Sequence, residues 1–263
     1  MLERVRTQHI ISRYLSPPPG RILDVGGGPG THALWLLQQG YEVHLVDPVP
    51  THVEQAAGRF QEYAPRAVAL VGDARHLNAA DASCDCVLLL GPLYHLTDRA
   101  DRIRALAETR RVLRPGTPAF VAAISRFASL LDGFSRNLIR DPYFVSILDR
   151  DLTDGQHRNR ADLDYFTTAF FHRPEEFTEE IRESGLELEA LLAVEGPFWC
   201  MNAFAELWAN PQSQRLMLDM LARVEAEPSL LGASAHWLAV VRAGGAVARA
   251  ADAVRSRSRR DEP

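Results

Sequence analysis

The sequence predicts an α/β protein with a Rossmann-like, mostly parallel sheet, and two observations carry that expectation. Short apolar or alternating runs recur from "RILDV" at Arg21 to "PAFVAAI" at Pro118, each followed by a stretch with helical spacing. Strands that alternate with helices in this way pair in parallel, with helices on both faces. The first strand also runs into "GGGPG" at positions 26–30 before a helix begins. A turn alone needs one or two glycines, so this loop is built for something to approach bare backbone closely.

The elements follow in order. Positions 1–15 have helical spacing, and "SPPPG" stops them. "RILDV" is the first strand, positions 31–39 a helix closed by Gly40, and "YEVHLVD" a second strand ending in Asp47. A helix is expected over 49–63, a third strand over "AVALVGDA", and a fourth over "CDCVLLLGPLYHL" with a turn at Gly91 and Pro92. Positions 98–113 read as a helix stopped by "RPG", with "PAFVAAI" as the fifth strand. The rhythm then breaks. Residues 125–173 carry helical patches and several aromatics but no clear strand, which predicts an inserted lid. A helix at 174–184, a strand at "LELEALLAV", helical sequence through 207–225 and a strand at "AHWLAVVRA" complete one domain over 1–263. The polar tail from about 246, "RSRSRRDEP" at its end, reads as a frayed terminus.

Composition narrows the function classes. Apolar residues make up 46% and charged residues 24% of 263, ordinary for a protein with a sizeable core. A net charge of -5 argues against a nucleic-acid partner. No apolar run approaches the ~20 residues that span a bilayer, and "MLERVRTQHI" does not read as a signal peptide, so a cytoplasmic protein without membrane contact is expected. All 29 basic residues are arginine, which removes Schiff-base and phosphate-lysine chemistry. Cys84, Cys86 and Cys200 read as reduced thiols; Cys84 and Cys86 flank Asp85 on an expected strand and should share one face.

The glycine loop sits in a rim of acids. "GPGTHA" fits the loose dinucleotide pattern G-x-G-x-x-A, which keeps a nicotinamide or flavin enzyme open. Asp24, just before the glycines, would repel a pyrophosphate and would welcome a cationic or zwitterionic ligand. Asp47 lies 21 positions after Gly26, near the offset at which an acid meets ribose hydroxyls. Asp73 ends the third strand and is suited to accept from an exocyclic amine. S-adenosylmethionine carries a group for each: a zwitterionic methionine, a ribose diol and an adenine amine. Read blandly, the glycines form a turn, Asp24 caps a helix, Asp47 starts a turn with Pro48, and Asp73 is ordinary Gly-Asp turn chemistry.

At these residues the chain resembles class I S-adenosylmethionine-dependent methyltransferases, especially bacterial small-molecule ones. "LDVGGGPG" is similar to their first motif, "LVDP" to their second-strand acid, "GDA" to their adenine-side motif, and "RVLRPG" to the turn before their fifth strand. The resemblance covers roughly 14–124 well and the later strands loosely. It implies a seven-stranded sheet with the last strand inserted antiparallel, no metal, and a cofactor set of Tyr14, Asp24, Gly26, Gly28, Gly30, Asp47, Pro48, Asp73, Ala74 and Gly91. Tyr14 reads equally as a core tyrosine. On this reading Asp47→Ala weakens cofactor binding by ~1.5–3 kcal/mol and leaves the empty protein's melting temperature nearly unchanged.

Methyl transfer from a sulfonium needs alignment and desolvation above all, with a general base where the nucleophile carries a proton. "GPLYHLTDR" follows the fourth strand, where family members place the methyl-accepting centre, which makes Tyr94 and His95 the catalytic candidates; a structural role for His95 is an even alternative. It differs from the Asn-Pro-Pro-Tyr-like motif of relatives that act on nucleobase or glutamine amines. In the lid, Arg126, His157, Arg158, Tyr165, Phe166 and His172 are candidates to line an acceptor pocket, joined by Phe198 and Trp199 after the sixth strand. The expected activity is methyl transfer to oxygen or nitrogen of a small molecule. The alternatives are a nicotinamide-dependent oxidoreductase and a non-catalytic S-adenosylmethionine-binding protein. The lid is expected to be mobile; the competing reading makes it a dimer arm, which leaves a homodimer open.

Overall fold

A computed structural model of the chain describes residues 1–159 and 165–244, with no side-chain description for Trp199. The expected polar tail, and Trp199 as an acceptor-pocket residue, lie outside what is described.

Helix α1 (Leu2–Tyr14) precedes β1 (Arg21–Val25), α2 (Thr31–Gln38), β2 (Glu42–Asp47), α3 (Pro50–Phe60), β3 (Ala67–Val71) and β4 (Cys86–Leu89). One helical turn, α4 (Pro92–His95), then leads to α5 (Arg99–Val112) and β5 (Pro118–Ile124). The inserted block holds α6 (Ala128–Ser135), α7 (Pro142–Asp154) and a small ladder of β6 (Gln156–His157) with β7 (Ala169–Phe170). The chain continues through α8 (Pro174–Glu183), β8 (Leu186–Ala193), α9 (Phe204–Ala209), α10 (Pro211–Val224), α11 (Pro228–Leu231) and β9 (His236–Ala243).

The main sheet has seven strands in the order β3-β2-β1-β4-β5-β9-β8. The first five pair in parallel, and β9 runs antiparallel between β5 and β8, as the resemblance implies. The order reverses beside β1, so the carboxyl ends of β1 and β4 flank a crevice at a topological switch point, where open α/β sheets place ligands. One face buries Val25, Val87, Leu89, Val121 and Trp237; the other buries Ile22, Leu45, Cys86, Leu88, Phe120 and Leu238. Successive residues of a strand point to opposite faces, and burial of both faces gives the near-continuous apolar runs seen in the sequence.

Three expectations are corrected here. Cys84 and Cys86 do not share a face: each packs in a different one of the two cores. The strand begins only at Cys86, because the Asp85 carboxylate accepts the Arg21 backbone N–H at 2.8 Å and Cys84 only bridges to Leu113, so strict alternation does not reach back to Cys84. The fourth strand is also shorter than expected, and Pro92 opens a helical turn, a position that suits a residue without an N–H. Finally, the inserted block, where no clear strand is expected, holds the short pair of β6 with β7.

Candidate active site

The glycine loop joins β1 to α2, and each glycine has a different reason to be there. Gly26 has φ +70, and a Cβ on it would stand 2.6 Å from Pro92 Cδ, so only glycine lets α4 close on the loop. A Cβ on Gly27 would meet Asp24 Oδ2 and Leu45 Cδ1, both at 2.6 Å. A Cβ on Gly28 would meet nothing within 4 Å, because this residue borders open space. Gly30 packs against Phe60 and Ala56 of α3 and lines neither of the two cavities at this loop, so its role is helix packing.

Two cavities meet at this loop. The larger, about 550 Å³, runs past the carboxyl ends of β1 to β4 and is lined by Gly26, Gly28, Asp47, Pro48, Asp73, Ala74, Gly91, Tyr94 and His95 among others. The smaller, about 180 Å³, lies towards α1 and the β5 and β9 ends, lined by Glu3, Thr7, Asp24, His32, Tyr94 and His236 with apolar neighbours. Gly26, Gly91 and Tyr94 belong to both walls.

Asp24 is 1% exposed and its Oδ2 has no hydrogen-bond partner among the described residues. Burial pushes its carboxyl up to about 7, opposed by the Ala33 backbone N–H and assisted by the nearby Asp47 charge. An orphaned buried carboxylate beside a glycine loop needs a cationic donor. The other glycine-loop acid is committed differently. Asp47 Oδ2 accepts the Gly28 N–H at 2.9 Å, and Oδ1 accepts the Val49 N–H at 3.0 Å and meets His52 Nδ1 at 3.1 Å. Asp47 therefore fixes the loop as well as facing the larger cavity, and removing it should also destabilise the empty protein, contrary to the expectation from sequence. Asp73 is paired with Arg75, whose guanidinium reaches both its oxygens and holds the carboxyl below its usual range; Arg75 also grips Asp101 at 2.6 Å.

Tyr94 and His95 both border the larger cavity, Tyr94 from the junction. Burial, with Glu3 assisting, pushes the Tyr94 phenol up to about 12, so it is a neutral donor and not a base near neutral pH. Burial lowers His95, against a hydrogen bond to the Thr168 backbone, and its ring lies 6.5 Å from Phe166, which itself holds φ +87. His95 is thus one contact between the inserted block and the cavity wall, and Tyr94, packed against Ala169 and Phe171, is another.

The rest of the lid set is corrected. Arg126 is 2% exposed and donates to the Phe171 and Thr153 carbonyls and to Glu176. His157 is bound between Asp151 at 2.8 Å and the Tyr165 carbonyl at 3.0 Å. His172 meets Glu180 at 3.1 Å and is fully buried, and burial lowers it below its usual range. Arg126 and His172 pin the inserted block to α8, His157 ties the block to itself, and none of the three lines either cavity. Among the described residues Arg158 reaches only Gln156, at 3.3 Å, and Tyr165 bonds Asp141. Tyr14 lies edge-on to Phe120 with a centroid distance of 6.4 Å, in the core and outside both cavity walls.

Sequence reasoning missed one constellation. Glu195, just past β8, is buried and accepts His236 Nδ1 at 2.6 Å, the His236 N–H at 3.0 Å and the Ser234 hydroxyl at 3.0 Å. Burial would lower His236, but the Glu195 charge raises it to about 9, with Glu3 adding to the rise. An acid ending one strand and a histidine opening its antiparallel neighbour was the available signal.

Residues 22–116 match a family model described as a methyltransferase domain. An uncharacterized methyltransferase of Mycobacterium tuberculosis is 38% identical over 96 residues, 36% of this chain and 36% of that protein, so the chain spans about a third of the length of these curated relatives. A ubiquinone biosynthesis O-methyltransferase of Xanthomonas axonopodis is 28% identical over 189 residues, covering 72% of this chain and 71% of that one. Among solved structures, a SAM-dependent methyltransferase of Methanosarcina mazei has the same fold, with a TM-score of 0.62 at 19% identity over 89% of this chain and 97% of that one.

Proposed function

We propose, from the premise that the chain is a class I S-adenosylmethionine-dependent methyltransferase, that it transfers a methyl group from that cofactor to oxygen or nitrogen of a small molecule. What carries the reading is the pair of cavities joined at Gly26, Gly91 and Tyr94, one bordered by Asp47 and the other by the orphaned Asp24 oxygen. The residues that would hold the cofactor are Asp47, Pro48, Asp73 and Ala74 on its nucleoside side, and Asp24, Gly26 and Gly28 on its methionine side. When bound, the cofactor supplies an electrophilic methyl on a sulfonium and leaves as a neutral thioether.

The chain's own contribution is placement and exclusion of water. Gly28 leaves room against the backbone, Asp24 offers its buried oxygen to an ammonium, and Tyr94 stands at the junction as a neutral donor. A dinucleotide fits less well, because the Gly28 N–H is already given to Asp47 and the Asp24 carboxylate underlies the loop where a pyrophosphate would lie. The test is calorimetric titration with S-adenosylhomocysteine and, separately, NADH. Binding of the first alone is expected; binding of NADH alone would make the protein an oxidoreductase. No transfer to any of a broad acceptor panel, with the cofactor bound, would leave a binding protein.

The inserted block acts as a lid over this site through the His95–Thr168 and His95–Phe166 contacts. Amide exchange at 165–168 should slow when S-adenosylhomocysteine is added, while exchange at 169–172, paired to β6 and to the chain near Ser125, stays slow throughout. Unchanged exchange at 165–168 would remove the lid role.

A further inference from the structure

We propose that His32 is the donor that holds the cofactor's carboxylate in the smaller cavity, beside the Asp24 oxygen that takes its ammonium. The proposal rests on the S-adenosylmethionine reading of the site and adds a binding residue to it. Among the described residues, two buried polar atoms of this cavity's lining side chains have no hydrogen-bond partner: Asp24 Oδ2 and His32 Nδ1. Burial, with the Arg4 charge assisting, lowers the His32 ring to about 4, so it is neutral near neutral pH. A neutral imidazole carries one N–H, and with the proton on Nδ1 that orphaned atom is a donor. A buried donor and a buried acceptor in one cavity lining each cost free energy until a ligand meets them.

The backbone sets the two side by side. Helix α2 starts at Thr31, directly after the glycine loop, so His32 stands in its first turn. The next residue, Ala33, gives its backbone N–H to the Asp24 carboxyl. An amino acid carries its ammonium and its carboxylate on one carbon, so it needs an acceptor and a donor as close neighbours. Asp24 and His32 are such a pair.

Charge decides which histidine takes the carboxylate. His236, the other imidazole of the lining, meets Glu195 at 2.6 Å and is also acted on by the Glu3 charge. Two carboxylates already match its positive charge, and a third is repelled. The charge bearing on His32 is the positive one of Arg4 in α1, which favours an anion there. A neutral donor also suits a cavity that must stand empty between turnovers, since it leaves no uncompensated buried charge.

The test is calorimetric titration of the full chain at pH 8 with two ligands. One is S-adenosylhomocysteine, and the other is its analogue with the carboxylate replaced by hydrogen, which keeps the ammonium. The wild-type chain should favour S-adenosylhomocysteine by about tenfold or more. His32→Phe keeps a ring and removes the donor; it should weaken S-adenosylhomocysteine about tenfold and leave the analogue's affinity unchanged. His32→Gln, which restores an N–H, should recover part of the loss. A further readout needs no variant: in wild-type protein carrying isotope-labelled histidine, the His32 Nδ1–H resonance should move downfield with S-adenosylhomocysteine and stay in place with the analogue.

An analogue that binds wild type as tightly as S-adenosylhomocysteine would overturn the proposal. So would an unchanged S-adenosylhomocysteine affinity in His32→Phe, an equal loss for both ligands, or a resonance that does not respond. Discrimination lost in His236→Gln but kept in His32→Phe would overturn it as well, and assign the carboxylate to the imidazolium. Failure of S-adenosylhomocysteine to bind the wild-type chain sinks the cofactor reading instead, and that outcome is read in the first titration, before the analogue or any variant is used.

Discussion

Glu180→Ala should lower the stability of the empty protein by about 3–5 kcal/mol, read as a shift of the urea unfolding midpoint. Glu180 and Arg102 are each 2% exposed, and the guanidinium reaches the carboxylate at 2.7, 3.0 and 3.2 Å. Arg102 also donates to the Leu96 and Thr97 carbonyls and lies 3.7 Å from the centroid of Phe170, so it has no route to solvent when its partner is removed. The cost is that of an uncompensated buried charge. Glu180→Leu combined with Arg102→Met should recover most of it. The pH dependence follows from the same contacts. Burial pushes the Glu180 carboxyl up, but hydrogen bonds from His172 and Arg102 overcome that and hold it at about 2, below its ordinary 4.5. Its contribution is therefore complete above pH 4.5 and lost as pH falls towards 2. A loss under about 1 kcal/mol in Glu180→Ala, well short of the cost of a buried unpaired charge, would mean that water reaches Arg102.

Asp47→Ala should damage both the empty protein and its affinity. Two backbone N–H donors and the His52 ring converge on this carboxylate, and removing it leaves the Gly28 and Val49 N–H groups without their acceptor, at a cost of about 1–3 kcal/mol in stability. With the loop loosened and a cavity-wall acid gone, S-adenosylhomocysteine should bind weaker by about 1.5–3 kcal/mol. Thermal unfolding and calorimetry read the two effects separately. A variant as stable as wild type would show that the loop holds its shape without Asp47, and an unchanged affinity would remove Asp47 from the cofactor site.

The sheet was legible because its evidence is local. Each of β1, β2 and β5 carries its own apolar run and its own bounding glycine, proline or acid, and the loop at 26–30 shows its purpose in composition alone. The acceptor-pocket residues of the lid were not legible because sequence cannot separate a polar residue that faces a ligand from one buried as an anchor. Arg126, His157 and His172 have the chemistry of a pocket, and only their partners Glu176, Asp151 and Glu180 reveal that they are internal ties. Cys84 and Cys86 failed for a smaller reason: alternation holds only inside a strand, and Asp85 keeps that strand from starting early. Glu195 and His236 are separated by α9 to α11 in sequence, so their hydrogen bond could be inferred only from the pairing of β8 with β9.

The two cavities also differ in when a growing chain can make them. Every residue lining the larger one falls between Gly26 and Leu96, within the first four parallel strands and their connections. The smaller one needs Glu3 and Thr7 from the first helix together with Val194 and His236 to Leu238 from near the other end. Arg6 ties that same helix to the Val194 carbonyl and to Glu225. The walls of the larger cavity are thus all synthesised long before β9, whereas the second compartment closes only after β9 has left the ribosome and inserted between β5 and β8. Completion of the last strand is the step that turns a partial binding fold into a finished site.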